Sequence, residues 1–147
     1  MKKGVTIIAV LAIAGVAIFF YLNSHKGIPA EGDGPPTYLS YKNNMDWSGG
    51  ETKPIVSTAL FTGIARQAYA AAAMIPEVLD RLYCYCYCAE DHGHKSLRTC
   101  FTEGHGANCD ICINEALLAQ KLHEKGASIQ EIRESIDSQY YRPYREN

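Results

Sequence analysis

The sequence has no cysteine before position 84 or after 112, no surplus of basic charge and no phosphate-binding loop. Each absence narrows the field. A net charge of -2 at neutral pH, with a pI near 6.2, supplies no positive field for gripping phosphates. Aromatic and basic residues do not interleave as single-stranded nucleic acid requires, so no nucleic-acid partner is expected. "GGETK" at Gly49 to Lys53 lacks the spacing of a Walker motif and reads as a turn. There is no catalytic carboxylate pair and no nucleophilic serine arrangement. Ile113 follows the C-x-x-C of Cys109 and Cys112, so the haem-attachment sequence is absent and no haem is expected.

One long apolar run is present. Lys2 and Lys3 precede Val5 to Leu22, "VTIIAVLAIAGVAIFFYL", 18 residues without a charge. That is longer than the apolar part of most cleaved signals, and "FFYLNSHKG" offers no pair of small residues for cleavage, which favours an uncleaved anchor over a removed signal peptide. The paired lysines keep the N-terminus in the cytoplasm, so the chain is expected to pass the cell membrane once and to carry its domain on the outer side. No cysteine ends the run, which leaves a lipoprotein anchor unsupported. The expected organisation is an anchor or signal over 1–24, a Gly/Pro-rich linker over 25–54 with no helical or strand period, and a cysteine-rich domain over 55–147. Trp47 and the nearby tyrosines are expected to dock either on that domain or on the lipid headgroups.

Within the domain the patterning is helical. Thr62 is placed to cap a helix whose apolar stripe is Ile64, Ala68, Ala71, Ala72 and Ile75. Pro76 ends that helix and opens a short one, "PEVLDRL". Asn108 precedes a third, Cys109 to Lys125, with Ile111, Leu118, Ala119 and Leu122 on one side and Gly126 as the stop. Ser128 and Glu131 fit a capping box for a fourth, with Ile129, Ile132, Ile136 and Tyr140 along its buried face. The expected fold is mainly α: a small four-helix domain around an irregular cysteine-rich segment. A core of that size is marginal alone and calls for a staple.

All six cysteines fall between Cys84 and Cys112. If "YCYCYC" is extended, Cys84, Cys86 and Cys88 share one face and Tyr83, Tyr85 and Tyr87 the other, the tyrosines serving as core. Alternate α-carbons on a straight strand stand about 6.5–7 Å apart, at or past the usual disulfide limit. Two thiolates on one tetrahedral ion must bring their sulfurs within about 4 Å, so for metal binding the segment has to curl or several ions share its sulfurs. A crowd of thiols suits soft ions, copper(I) or zinc among them. Cys109 and Cys112 open a helix, where thiolate is favoured, and serve either as a redox dithiol or as two more ligands. The βαβ surrounding that a thioredoxin motif needs is missing. His94 and His105 are the better nitrogen ligands. His92, between acidic neighbours, reads as a surface residue, and His25 and His123 are left out. Glu115 is placed on a solvated face.

"YCYCYC", "GHKSLRTCF" and "HGANCDICINEALLA" together resemble the bacterial exported proteins named for a PCYCGC motif and the related CYCxC family, some of whose members are selenoproteins. The likeness runs from about Ile64 to Tyr140. It implies an extracytoplasmic, membrane-associated protein, with Cys84, Cys86, Cys88, His94, Cys100, His105, Cys109 and Cys112 on the motif positions. The chain departs from that motif at Tyr83, where proline stands, and at Tyr87, where glycine stands and where a bulky ring narrows access to the sulfurs.

Three functions follow. The leading one is a membrane-tethered soft-metal site using those eight residues. The second is a thiol–disulfide protein with Cys109 attacking and Cys112 resolving. The third is a disulfide- or zinc-stapled domain that binds another envelope protein; six cysteines allow 15 pairings, and spacing does not choose among them.

Overall fold

The computed structural model describes residues 36–142, so the apolar run at Val5–Leu22 and the anchor expected there lie outside them. Among the described residues there is no strand, and no helix is long and apolar enough to cross a membrane. The described residues form six helices: α1 (Pro36–Lys42), α2 (Gly63–Met74), α3 (Pro76–Leu79), α4 (Cys88–His92), α5 (Asp110–Glu124) and α6 (Ile129–Tyr140). Single 3-10 turns stand at Thr58–Leu60, Leu97–Phe101 and His105–Asn108. The four expected helices correspond to α2, α3, α5 and α6.

Local chemistry explains their ends. Pro76 occupies the first turn of α3, where its missing N–H costs nothing. After α5, Gly126 takes φ 80°, which lets its N–H reach His123 O at 2.9 Å and the Ala127 N–H reach Leu122 O at 3.1 Å. Ser128 then accepts from the Glu131 N–H while the Glu131 carboxylate accepts from Ser128 N, a complete capping box that turns the chain straight into α6. Helix α2 packs on α5, and α5 on α6.

The buried faces differ in part from the expected stripes. On α2, Ala68, Ala71 and Ala72 are fully buried, together with Tyr69, but Ile64, in the first turn, is 53% exposed. Thr62 caps α2 by position, without a side-chain bond. Asn108 belongs to a 3-10 turn, and Cys109 is the residue that caps α5. On α5 the fully buried side is Cys112, Glu115, Ala116 and Ala119, with Ile111, Leu118 and Leu122 only at its margin. On α6, Ile132 and Ile136 are buried as expected.

From Pro36 on, the stretch expected to be linker is folded. Helix α1 buries Tyr38 and Tyr41, and Trp47 docks beyond it with its ring centroid 5.2 Å from that of Tyr41. Two residues of α6 hold this strap. Asp137 accepts from Tyr41 Oη (2.8 Å) and Lys42 Nζ (3.0 Å), and the Arg133 guanidinium lies 4.0 Å over the Tyr41 ring while donating to the Asn44 and Met45 carbonyls. Burying two tyrosines and a tryptophan is worth several kcal/mol, on the order of 2 per ring, which offsets the ordering of a short Gly- and Pro-flanked segment.

Candidate metal centre

The C-x-C-x-C segment is not extended. The Tyr87 N–H donates to Cys84 O at 3.0 Å, closing a turn, and Tyr87 at φ 63° starts α4 at Cys88. This curl replaces the flat two-faced strand and points the sulfurs inward. Left-handed backbone costs a non-glycine residue roughly 1–2 kcal/mol, which accounts for the glycine that the PCYCGC pattern has at this position. Tyr87 offsets the strain by burial: its ring joins the aromatic cluster, 6.0 Å from Tyr83. Tyr83 and Tyr85 pack edge-on against Tyr38 of the strap, and Tyr85 Oη donates to Asp137 at 2.7 Å. The tyrosines are core, and they press the turn against its sulfurs.

Three elements deliver the remaining donors. Cys100 comes from the 3-10 turn Leu97–Phe101, His105 from the next 3-10 turn, and Cys112 from the first turn of α5. His94 follows α4, its N–H held by Cys88 O at 3.0 Å. The sulfurs converge: Cys84 lies 3.3 Å from Cys86 and 3.4 Å from Cys112, and Cys86 lies 3.5 Å from Cys112. Cys88 Sγ is 3.1 Å from His105 Nε2, and Cys100 Sγ is 3.2 Å from His94 Nδ1. All six cysteines are thiols.

Two sets of four donors each have ligand atoms within 4.8 Å of one another: Cys84, Cys88, Cys100 and Cys112, all buried, and Cys86, Cys88, His105 and Cys112. Ligands on a tetrahedral zinc stand about 3.8 Å apart, so these sets need only small inward shifts to take an ion, and thiolate with imidazole is the donor chemistry soft ions prefer. Cys109 belongs to neither set; it is half-buried at the lip, against Cys112 and Cys86. A third group, His94, Glu103 and His105, adjoins the thiols, with His94 Nε2 and Glu103 Oε1 at 2.9 Å. His92 is exposed as expected, although its ring lies 4.7 Å from that of His105.

The crowding separates the thiols electrically. Hydrogen bonds from neighbouring thiols, Cys100 first, hold Cys86 and Cys88 below the ordinary thiol range, Cys88 at about 3. Burial pushes Cys84 well up, and the bond with Cys112 pushes up Cys100. Cys109 is also raised: its bond with Cys112 acts downward, but Cys86 and burial outweigh it. Burial acts to lower the His105 imidazole, yet the negative charge of Cys88 and bonds to Cys86 and Cys88 raise it above its usual value.

Glu115 is fully buried, not solvated. Its position three residues after Cys112 puts it on the same face of α5, a helical spacing that identifies it once Cys112 is known to point inward. Oε1 accepts from the Tyr85 N–H at 2.9 Å and so braces the cysteine turn, while Oε2 has no hydrogen-bond partner among the described residues. Burial raises this carboxyl well above its usual value, against the pull of the Tyr85 amide and the Cys84 thiol. A carboxyl raised in the folded state contributes its full stability below the unfolded value and loses it as pH rises toward the folded one. Glu115→Gln is expected to stabilise the reduced, metal-free chain by about 1–2 kcal/mol at pH 8 and by much less at pH 4.5, since the charged form with an unpaired oxygen is what costs. Urea denaturation at both values checks this; equal gains would show that ionisation is not the cause.

These features define a small helical protein organised around a converging thiol cluster. The chain belongs to the family described as protein of unknown function with PCYCGC motif, whose model matches residues 61–147. No curated protein and no solved structure matches it.

Proposed function

We propose that this protein binds a soft metal ion, copper(I) or zinc, through its Cys/His cluster, on the extracytoplasmic side of a membrane to which its N-terminal run tethers it. The observation that carries this reading is the set of four buried thiols, Cys84, Cys88, Cys100 and Cys112, with sulfurs mutually within 4.8 Å. Buried thiols gathered on three separate elements serve poorly as attacking nucleophiles, which need access. They serve well as ligands, and bound metal protects them in an oxidising compartment. The tether and the compartment rest on Lys2, Lys3 and the apolar run.

The reduced full chain, purified in detergent without oxygen, is expected to bind copper(I) or zinc with a dissociation constant below about 1 µM. Failure to bind either ion that tightly would overturn the proposal. A thiol–disulfide function is the second reading, favoured by the half-buried Cys86 lying within 3.5 Å of both Cys84 and Cys112. The raised thiol of Cys109 weighs against it as the attacking sulfur. Reduction of a disulfide substrate that is lost in Cys86→Ser would support this second reading.

A further inference from the structure

The two sets of four donors are not separate sites. They share Cys88 and Cys112, while Cys84 and Cys100 belong only to the buried set and Cys86 and His105 only to the outer one. We propose that the centre is dinuclear, with the Cys88 and Cys112 thiolates bridging an inner ion, completed by Cys84 and Cys100, and an outer ion, completed by Cys86 and His105. This rests on the soft-metal reading and adds a second ion to it.

Three observations carry the second ion. Coordination number comes first: a tetrahedral ion held by the buried set is complete with four donors. Cys86 is then left with its sulfur 3.3 Å from Cys84 and 3.5 Å from Cys112, and His105 Nε2 lies 3.1 Å from Cys88. Two further donors of the right chemistry therefore touch sulfurs of the first set without a role in holding its ion. The second is charge. Four thiolates around one divalent ion leave two negative charges in a buried place; five thiolates and a neutral imidazole around two ions leave one. Reducing uncompensated buried charge favours the second ion. The third is the gradation of burial. Cys84, Cys88, Cys100 and Cys112 are buried, whereas Cys86 and His105 are half-buried. An inner position closed by packing thus adjoins an outer one with a path to solvent. Cys109 stands at its mouth, against Cys86 and Cys112.

The test uses the reduced full chain in detergent micelles, without oxygen, loaded with an NMR-active cadmium isotope as a soft divalent probe. Non-denaturing mass spectrometry is expected to show two cadmium ions per chain. Proton–cadmium correlation is expected to connect the β-protons of Cys88 and of Cys112 each to both metal resonances, and those of Cys84 and Cys100 to one. In the double variant Cys86→Ser with His105→Ala the stoichiometry is expected to fall from two to one, the inner resonance remaining. A single ion in the unsubstituted chain at excess cadmium would overturn the dinuclear centre and leave the soft-metal reading intact. Two ions with no cysteine shared between them, or two retained by the double variant, would overturn it as well. No bound cadmium at all would overturn both readings.

Discussion

Cys112→Ser is expected to weaken metal binding by at least about 100-fold, close to 2.7 kcal/mol, a loss shared at the cluster with Cys88→Ser, the other residue common to both donor sets. Cys112 belongs to both four-donor sets, and its sulfur lies 3.4 Å from Cys84 and 3.5 Å from Cys86. Serine preserves shape and the α5 backbone but offers a hard, protonated oxygen where a soft ion requires thiolate. The measurement is competition against a chromophoric chelator, with Cys109→Ser alongside. Cys109 lies outside both sets, so its loss should cost less than about 10-fold, below the roughly 10–100-fold seen for groups that hold a ligand in place. Equal effects at the two positions would mean that the C-x-x-C acts as a unit, and the site would have to be redrawn around the start of α5.

That contrast bears on how far the site is legible in the chain itself. The restriction of cysteine to positions 84–112 already implies a shared location, because a small helical domain has few places to put six thiols. What spacing misjudges is the conformation of the C-x-C-x-C row. Alternation of cysteine and tyrosine mimics the period of a strand, yet the tyrosines are drawn to Tyr38, Tyr41 and Asp137, and the backbone turns at Tyr87 to let them go. A tertiary aromatic cluster overrides the local period. The same competition hides α1. Seven residues flanked by glycine and proline carry little helical signal, and only the burial of Tyr38 and Tyr41, three apart, makes the helix worth forming.

Helix ends fare better than helix faces. The capping box at Ser128 and the glycine stop at Gly126 are decided by residues within four positions of each other, so they can be read directly. The face of α5 depends on what it meets. Cys112 and Glu115 turn inward because the cysteine turn needs a sulfur and a brace for the Tyr85 N–H, and this rotates Leu118 and Leu122 toward the margin. A carboxylate is an improbable core residue by hydropathy alone, which is why the brace stays hidden until the cluster is assembled.

The largest loss of stability is expected at Asp80, outside the cluster. Asp80 is buried after α3 and its carboxylate receives Ser48 Oγ, the Gly50 and Glu51 N–H groups at 3.0 Å each, and Ser96 Oγ at 2.8 Å. It therefore ties the strap to the loop ahead of Cys100. Around it the fit is close: a Cβ on Gly49 would stand 2.5 Å from Lys95 O. Glu51, aligned by Asp80, accepts from Thr99 Oγ1 at 3.0 Å, so the residue before Cys100 depends on the same hub. Asp80→Ala removes the shared acceptor and leaves the buried Glu51 N–H and Ser96 hydroxyl unpaired, at an expected cost of about 3–5 kcal/mol. Asp80→Asn keeps one acceptor oxygen and should cost less than half as much. Urea denaturation of the metal-free chain measures both, and a loss under about 1 kcal/mol for the alanine variant would show that the strap is held without this carboxylate. If the hub works as described, Asp80→Ala also frees the turn bearing Cys100 and lowers metal affinity, but by less than Cys112→Ser, because every ligand is still present.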